Sequence, residues 1–272
     1  MGDRATSDFL VRLVSALVMA PVVIFFAYLG GLWFAALILL CSVIIYWEWV
    51  VMTLRAVDIR RDALGIVVVI SLIFLSFSAN QSAALWAVLG LFFISVLLLF
   101  GGAKSGHAIV GTVVAGLFSV ALLTIREVEV YGLYYLVFLA FTVWSADVFA
   151  YIAGRSIGGP KLAPGISPNK TWAGFVGGLA GGVAMGALIA FLFKAEGIGM
   201  FALLALVLGF SAQFGDLIES AVKRRFNVKD ASNLIPGHGG LLDRVDGLIF
   251  AAFVFVLLHQ FGFIPPGGAI GG

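Results

Sequence analysis

The sequence predicts an all-α, polytopic integral membrane protein of about nine transmembrane helices, with a cytoplasmic N-terminus and the C-terminus outside. Three observations carry this prediction. The chain is 62% hydrophobic and 11% charged, with a mean hydropathy of +1.14, whereas about a quarter of an ordinary soluble domain is charged. Apolar runs of roughly 17 to 25 residues recur along the whole length, each long enough to cross a hydrocarbon core of about 30 Å as a helix. The basic residues fall almost entirely on alternate connections between these runs, as the inside-positive bias of membrane proteins demands.

Taken in order, the spans are expected at 10–29, 32–51, 63–79, 84–100, 108–125, 131–153, 172–193, 199–222 and 246–263. The first follows Arg4 and Arg12 but is too long for a signal peptide and lacks a small-x-small cleavage site, so it reads as a retained span. Its separation from the second rests on Gly30-Gly31, a turn signal without which the two would fuse into one overlong helix. Cys41 sits inside the second run as a small hydrophobe, and a lone cysteine excludes an internal disulfide or thiolate cluster. The seventh run carries GFVGGLAGGVAMGAL from Gly174 to Leu188, where small residues let helices approach closely. These glycines lie mid-helix and not at a strand-to-helix turn, which argues against a phosphate loop. The polar connections are too short to bury a core of their own. Residues 1–272 are therefore expected to form a single membrane domain, with spans one to five in 1–130 and spans six to nine, carrying the active site, in 131–272.

With the N-terminus inside, Arg4, Arg12, Arg55, Arg60, Arg61, Lys104, Arg155, Lys161, Lys170, Lys223, Arg224, Arg225, Lys229 and Arg244 face the cytoplasm. Only Arg126 and Lys194 fall outside. Losing or adding one span would scramble that asymmetry.

Topogenesis explains the basic residues but not the acidic ones, since an ionisable group within a span costs at least about 2.5 kcal/mol. Asp147 and Asp216 stand out on this ground. At about 100° per residue, Asp216, Ser220, Lys223 and Asn227 share a narrow helix face as the eighth span runs into the cytoplasm. An Asp-to-Lys contact with a solvated cationic tip is the bland reading of that face. The following stretch, KDASNLIPGHGGLLDRVDG, adds Asp230, His238, Asp243, Arg244 and Asp246. Asp243 and Asp246, three apart, share a face at a helix start. The Gly-rich turn around His238 is expected to fold the chain back and bring this pair near Asp216. Carboxylates without cysteine suit a hard cation such as magnesium, and Lys223, Arg224, Lys229 and Arg244 suit a polyphosphate.

A second cytoplasmic stretch, from Asp147 to Trp172, joins the sixth and seventh spans. Ser167, Asn169, Lys170 and Thr171 stand just before a helix N-terminus, where free backbone N–H groups favour anions. It is not a Walker A loop, because Asn169 occupies the position where that pattern needs glycine. Helix capping in an inside-positive loop explains these residues equally well.

These two stretches resemble the CDP-diacylglycerol synthase family, also called phosphatidate cytidylyltransferase. The family's C-terminal pattern reads here as SAVKRRFNVKDASNLIPGHGGLLDRVD, from Ser220 to Asp246. The upstream stretch, with Gly154-Arg155 and Ser167-Pro168-Asn169-Lys170-Thr171-Trp172, is similar too, so the likeness covers about residues 140 to 263. Ala173 departs from it, since members often carry Glu there. The resemblance implies that CTP and phosphatidic acid give CDP-diacylglycerol and pyrophosphate at the cytoplasmic face, with magnesium, alone or with a second cation. It makes Asp216, Lys223 and Asp243 the expected catalytic residues. Asp216, Asp243, Asp246 and Ser220 are the expected metal ligands, with Asp147 an additional acid near the cavity. Lys223, Arg224, Lys229, His238, Arg244, Arg155, Ser167, Asn169, Lys170 and Thr171 are the expected phosphate-binding set. His238 serves equally well as a turn-stabilising residue. Partners are then CTP, phosphatidic acid and membrane lipids, with no nucleic acid and with a homo-oligomer left open, in a bacterial inner membrane. A lipid-directed transferase acting on another acceptor is the nearest rival. An ion-coupled transporter is the rival from a different class, because transporters also place acids in glycine-rich helices.

Overall fold

The computed structural model describes residues 21–77, 81–100, 105–235, 237 and 239–264. Most of the first expected span, with Arg4 and Arg12, lies outside the described residues, as do Lys104 and His238. Residues 21–29 are helical. Helices then follow as α1 (Gly31–Leu54), α2 (Ile59–Phe77), α3 (Gln81–Phe100), α4 (Ser105–Arg126), α5 (Gly132–Ser156), α6 (Trp172–Leu192), α7 (Ile198–Arg225) and α8 (Leu242–Gln260). Each lies over one expected run. Six of them, α1 and α3 to α7, are long and apolar enough to cross a membrane. α2 and α8 have 19 residues each and open on charged side chains. The separation of the first two runs falls at Gly30, whose φ of 65° is left-handed backbone that glycine tolerates without a Cβ clash.

The all-α expectation needs one correction. Between α5 and α6 the chain forms an antiparallel hairpin of β1 (Lys161–Ala163) and β2 (Ser167–Thr171), with Lys161 opposite Thr171 and Ala163 opposite Ser167. Pro164 and Gly165 sit at the centre of its turn, closed by Ile166 N–H donating to Ala163 O at 3.1 Å. Proline followed by glycine is a strong turn pair. Pairing the two short strands satisfies backbone groups that a bare connection would leave to water.

The chain divides into two compact units, one of Met1–Glu127 with Phe226–Val245 and the other of Val128–Arg225 with Asp246–Gly272. In the first, α4 is the central helix, packed on α1, α2 and α3. Gly111 and Gly116 face Trp49 and Leu72 there, and a Cβ at either position would come within 3.0 Å of those side chains. Arg126 closes one end of this unit, donating from Nε to Ala27 O at 2.8 Å. At the opposite end of α1, Arg55 donates to Phe226 O at 3.0 Å.

In the second unit, α6 lies along α5 and α7. The glycine run of α6 forms the packing face expected of it. Cβ atoms at Gly174, Gly178 and Gly182 would meet the carbonyl oxygens of Ala150, Ala146 and Thr142 at 2.8, 2.7 and 3.3 Å. Each step of four along α6 matches a step of four backwards along α5, the geometry of an antiparallel pair in backbone contact. Tyr134, Phe138 and Phe201 pack edge to face or tilted beneath this pair. The extension of the Asp216 face to Asn227 is corrected: α7 ends at Arg225, and Asn227 takes a left-handed φ of 56°. Asparagine tolerates that conformation better than most residues, so the chain leaves the helix axis there.

Candidate active site

The polar residues of the second unit gather where α7 meets the hairpin. Lys170 on β2 places its ammonium 2.5 Å from one carboxylate oxygen of Asp216, while Ser220 donates to the other at 3.3 Å, one helical turn further on. Asp216 and Ser220, expected on one helix face, are thus in contact. Lys223 is engaged elsewhere: its ammonium pairs with Glu219, whose side chain is buried. Arg224 reaches back to the hairpin turn, donating to Ile166 O at 3.2 Å. The hairpin is thus pinned to α7 at two points, by Lys170 and by Arg224.

Thr171 ends β2 and caps α6, its hydroxyl accepting from Gly174 N–H at 3.0 Å. That is the usual N-cap bond, satisfying one of the orphan donors of the first turn. The close approach of α5 at this point requires Gly154, where a Cβ would stand 3.1 Å from the Thr171 hydroxyl. Arg155 is exposed and bonded to the Tyr151 hydroxyl at 2.6 Å, a turn back on α5. Ser167 is half-buried in β2, and Asn169 is exposed. Asp246, in the second turn of α8, accepts from Gly247 N–H at 2.7 Å and feels the charges of Asp216, Asp147 and Lys223. Asp147 itself is exposed on α5.

Asp243 falls in the first unit, and there it holds the loop. Both carboxylate oxygens accept from Ala231 N–H, at 3.1 and 2.9 Å, and one also accepts from Gly240 N–H at 2.8 Å. Gly239 permits this approach through a left-handed φ of 82°, and a Cβ there would meet the Asp243 carboxylate at 2.9 Å. Lys229 and Arg244 are exposed on the same segment. Their exposure leaves both side chains open to a charged ligand.

Two acids were missed in the sequence. Glu219 lies in a charged helix end, yet it is buried beside Lys223. Glu48, in the C-terminal third of α1, is fully buried and accepts from Ser232 Oγ and from the backbone N–H groups of Leu241 and Leu242. An acid within an apolar run was the signal that singled out Asp147 and Asp216, and applied evenly it finds Glu48 as well.

Among the described residues, no three side chains of His, Cys, Asp or Glu converge closely enough to hold a metal ion together. The donor chemistry of the second unit nevertheless fits a hard divalent cation. Asp246 feels the like charges of Asp216 and Asp147, and a divalent cation would relieve that repulsion with the oxygen ligands it prefers.

The model of the cytidylyltransferase family matches residues 10–261. A phosphatidate cytidylyltransferase of Brucella abortus (strain 9-941) is 38% identical over 263 residues, covering 95% of this chain and 94% of that protein. One of Bacillus subtilis is 37% identical over 187 residues, 67% of this chain and 70% of that protein. One of Staphylococcus saprophyticus is 46% identical over 121 residues, 44% of this chain and 46% of that protein. On a match that spans nearly its whole length, the chain belongs to the cytidylyltransferase family.

Proposed function

We propose that this protein is a phosphatidate cytidylyltransferase, joining CTP and phosphatidic acid to give CDP-diacylglycerol and pyrophosphate. The near full-length relationship to the Brucella enzyme carries this reading. The lipid phosphate is the nucleophile. Its second pKa of about 6 leaves it largely ionised at neutral pH, so the site needs no strong general base. One of its oxygens bonds to the α-phosphorus of CTP as the bond to the β-phosphate oxygen breaks, and pyrophosphate carries away the electron pair. Such a reaction is governed by alignment and by neutralising charge on the departing group.

The residues of this chain supply both. Lys170 and Lys223 are cations held in place by Asp216 and Glu219, so they meet incoming phosphates with little ordering cost. Arg224 adds charge at the hairpin turn, Lys229 and Arg244 carry charge on the loop of the first unit, and the first turn of α6 offers backbone N–H groups beside Thr171. Asp216 and Asp246, with Asp147 beside them, are the residues that would hold magnesium. That ion supplies charge neutralisation to the phosphates when bound. Asp243 contributes through the loop it fixes.

We read the chain as crossing a bacterial inner membrane nine times, with this chemistry at the cytoplasmic face. The separate placement of Arg126 and Arg55 at opposite ends of α1 supports alternate sidedness. Membership in a transferase family sets the ion-coupled transporter aside.

The decisive assay incubates purified protein with labelled CTP and phosphatidic acid and follows pyrophosphate release and labelled lipid. No labelled lipid with phosphatidic acid, or equal reaction with a polyprenyl phosphate, would overturn the assignment. A cysteine placed near Lys229 should react only with a reagent inside the membrane, and one near Arg126 only from outside.

A further inference from the structure

Glu48 carries no role in the scheme above, yet it is a wholly buried carboxylate in the C-terminal third of an otherwise largely apolar helix. Such a group is costly to insert and persists only where its hydrogen bonds are met. One oxygen accepts from Ser232 Oγ at 2.6 Å and from Leu241 N–H at 2.8 Å, and the other accepts from Leu242 N–H at 2.7 Å. All three donors lie on the segment Phe226–Val245, and Leu242 is the first residue of α8, whose opening N–H groups have no partner within the helix.

Gly240 supplies a second observation. A Cβ there would stand 2.7 to 2.9 Å from the carboxylate atoms of Glu48. Unlike Gly237 and Gly239, Gly240 does not adopt left-handed backbone. What calls for glycine at this position is therefore space for Glu48. The N–H of Gly240 meanwhile goes to Asp243. Two carboxylates thus grip the same short stretch from different elements, one from within the segment and one from α1.

We infer that Glu48 is a positioning residue: it anchors the Ser232–Leu242 stretch to α1 and so sets where Lys229 and Arg244 present their charges to a polyphosphate. The claim about phosphates rests on the function proposed above; the anchoring does not.

The test uses full-length protein in detergent, as wild type and as Glu48→Ala, Glu48→Gln, Ser232→Ala, Gly240→Ala and Glu48→Ala with Gly240→Ala. Hydrogen exchange at the amides of Leu241 and Leu242 should quicken at least tenfold in Glu48→Ala. It should quicken less in Ser232→Ala, which removes one donor of three. Glu48→Gln should fall between them, because its amide NH₂ must face one of the N–H donors. CTP affinity, measured without phosphatidic acid, should weaken about tenfold in Glu48→Ala and in Gly240→Ala. Gly240→Ala should cost little more once Glu48 is already alanine, since the two changes break one contact. Should Glu48→Ala not fold, Ser232→Ala and Gly240→Ala keep the carboxylate and carry the test alone. Unchanged exchange in all single variants, or independent costs in the double variant, overturns the anchoring. Faster exchange with unaltered CTP affinity overturns the positioning role. Wild type that binds no CTP overturns the proposed function instead, while the exchange rates still decide whether Glu48 holds the segment.

Discussion

The loop of the first unit and the hairpin-to-α7 cluster of the second both gather carboxylates, but they employ them differently. In the loop, Glu48 and Asp243 are surrounded by neutral donors: three for Glu48 and the N–H groups of Ala231 and Gly240 for Asp243. In the cluster, Asp216 meets an ammonium and a hydroxyl, and its other charged neighbours include like-charged Asp246. A carboxylate whose lone pairs are filled by backbone N–H groups fixes the shape of the chain. One that faces cations and other acids is poised to exchange partners with an ionic ligand. Position on the chain does not separate these roles, since Asp243 and Asp246 lie within one turn of each other on α8.

The comparison breaks most sharply at Asp216. Asp216→Asn should lower turnover about 10²- to 10³-fold, the scale of losing one preorganised electrostatic contact, with normal insertion and an unchanged melting temperature. Asp246→Asn should behave similarly. A variant that keeps near-normal turnover in the assay with CTP and phosphatidic acid removes that acid from the site.

Asp243→Asn should lose activity together with stability. Its carboxylate serves two backbone donors, and weakening charged bonds of this kind costs about 1–3 kcal/mol. A thermal unfolding curve identical to wild type would move Asp243 out of the loop-holding class. Lys170→Ala should reduce turnover about tenfold, on the scale of a charged contact to phosphate. It should barely alter stability, because its partly exposed pair with Asp216 is worth less than about 1 kcal/mol.

The smallest expected effect lies at the start of α2. Burial pushes the Asp62 carboxyl up, but Arg61 at 2.7 Å, the backbone N–H of Asp58 at 2.8 Å and the Tyr46 hydroxyl at 3.3 Å bring it below its ordinary value. A lowered carboxyl stabilises the fold fully above the ordinary pKa of about 4. That stability is lost as the pH falls through the lowered folded value. Thermal midpoints of wild type should therefore drop more steeply below about pH 4 than those of Asp62→Asn, and equal slopes would count against the pairing.

Much of this was legible from local pattern. Apolar length located the helices, the turn at Gly30-Gly31 separated the first two, and the glycine run of α6 announced a packing face. Thr171 as a helix cap and the Asp216–Ser220 pair follow from spacing along one element. Other features involve distant partners. Lys170 finds Asp216 across two elements, Lys223 pairs with Glu219, and Glu48 meets residues 184 to 194 positions later. Nothing near Glu48 in the chain foretells that meeting.

By itself, the sequence determined the solvent and the inventory: bilayer as the main surroundings, helices of spanning length, and a surplus of acids that membrane topology does not require. Composition and period are local properties, and the hydrophobic effect reads them directly. Tertiary structure alone decided which partners each acid meets, because those donors lie far away in the chain or on other elements. Asp243 and Glu48 hold the loop through backbone N–H groups, with the Ser232 hydroxyl as a further donor to Glu48. Asp216 instead faces the Lys170 ammonium and the Ser220 hydroxyl, with Asp246 as an acidic neighbour, and on that difference the candidate site rests.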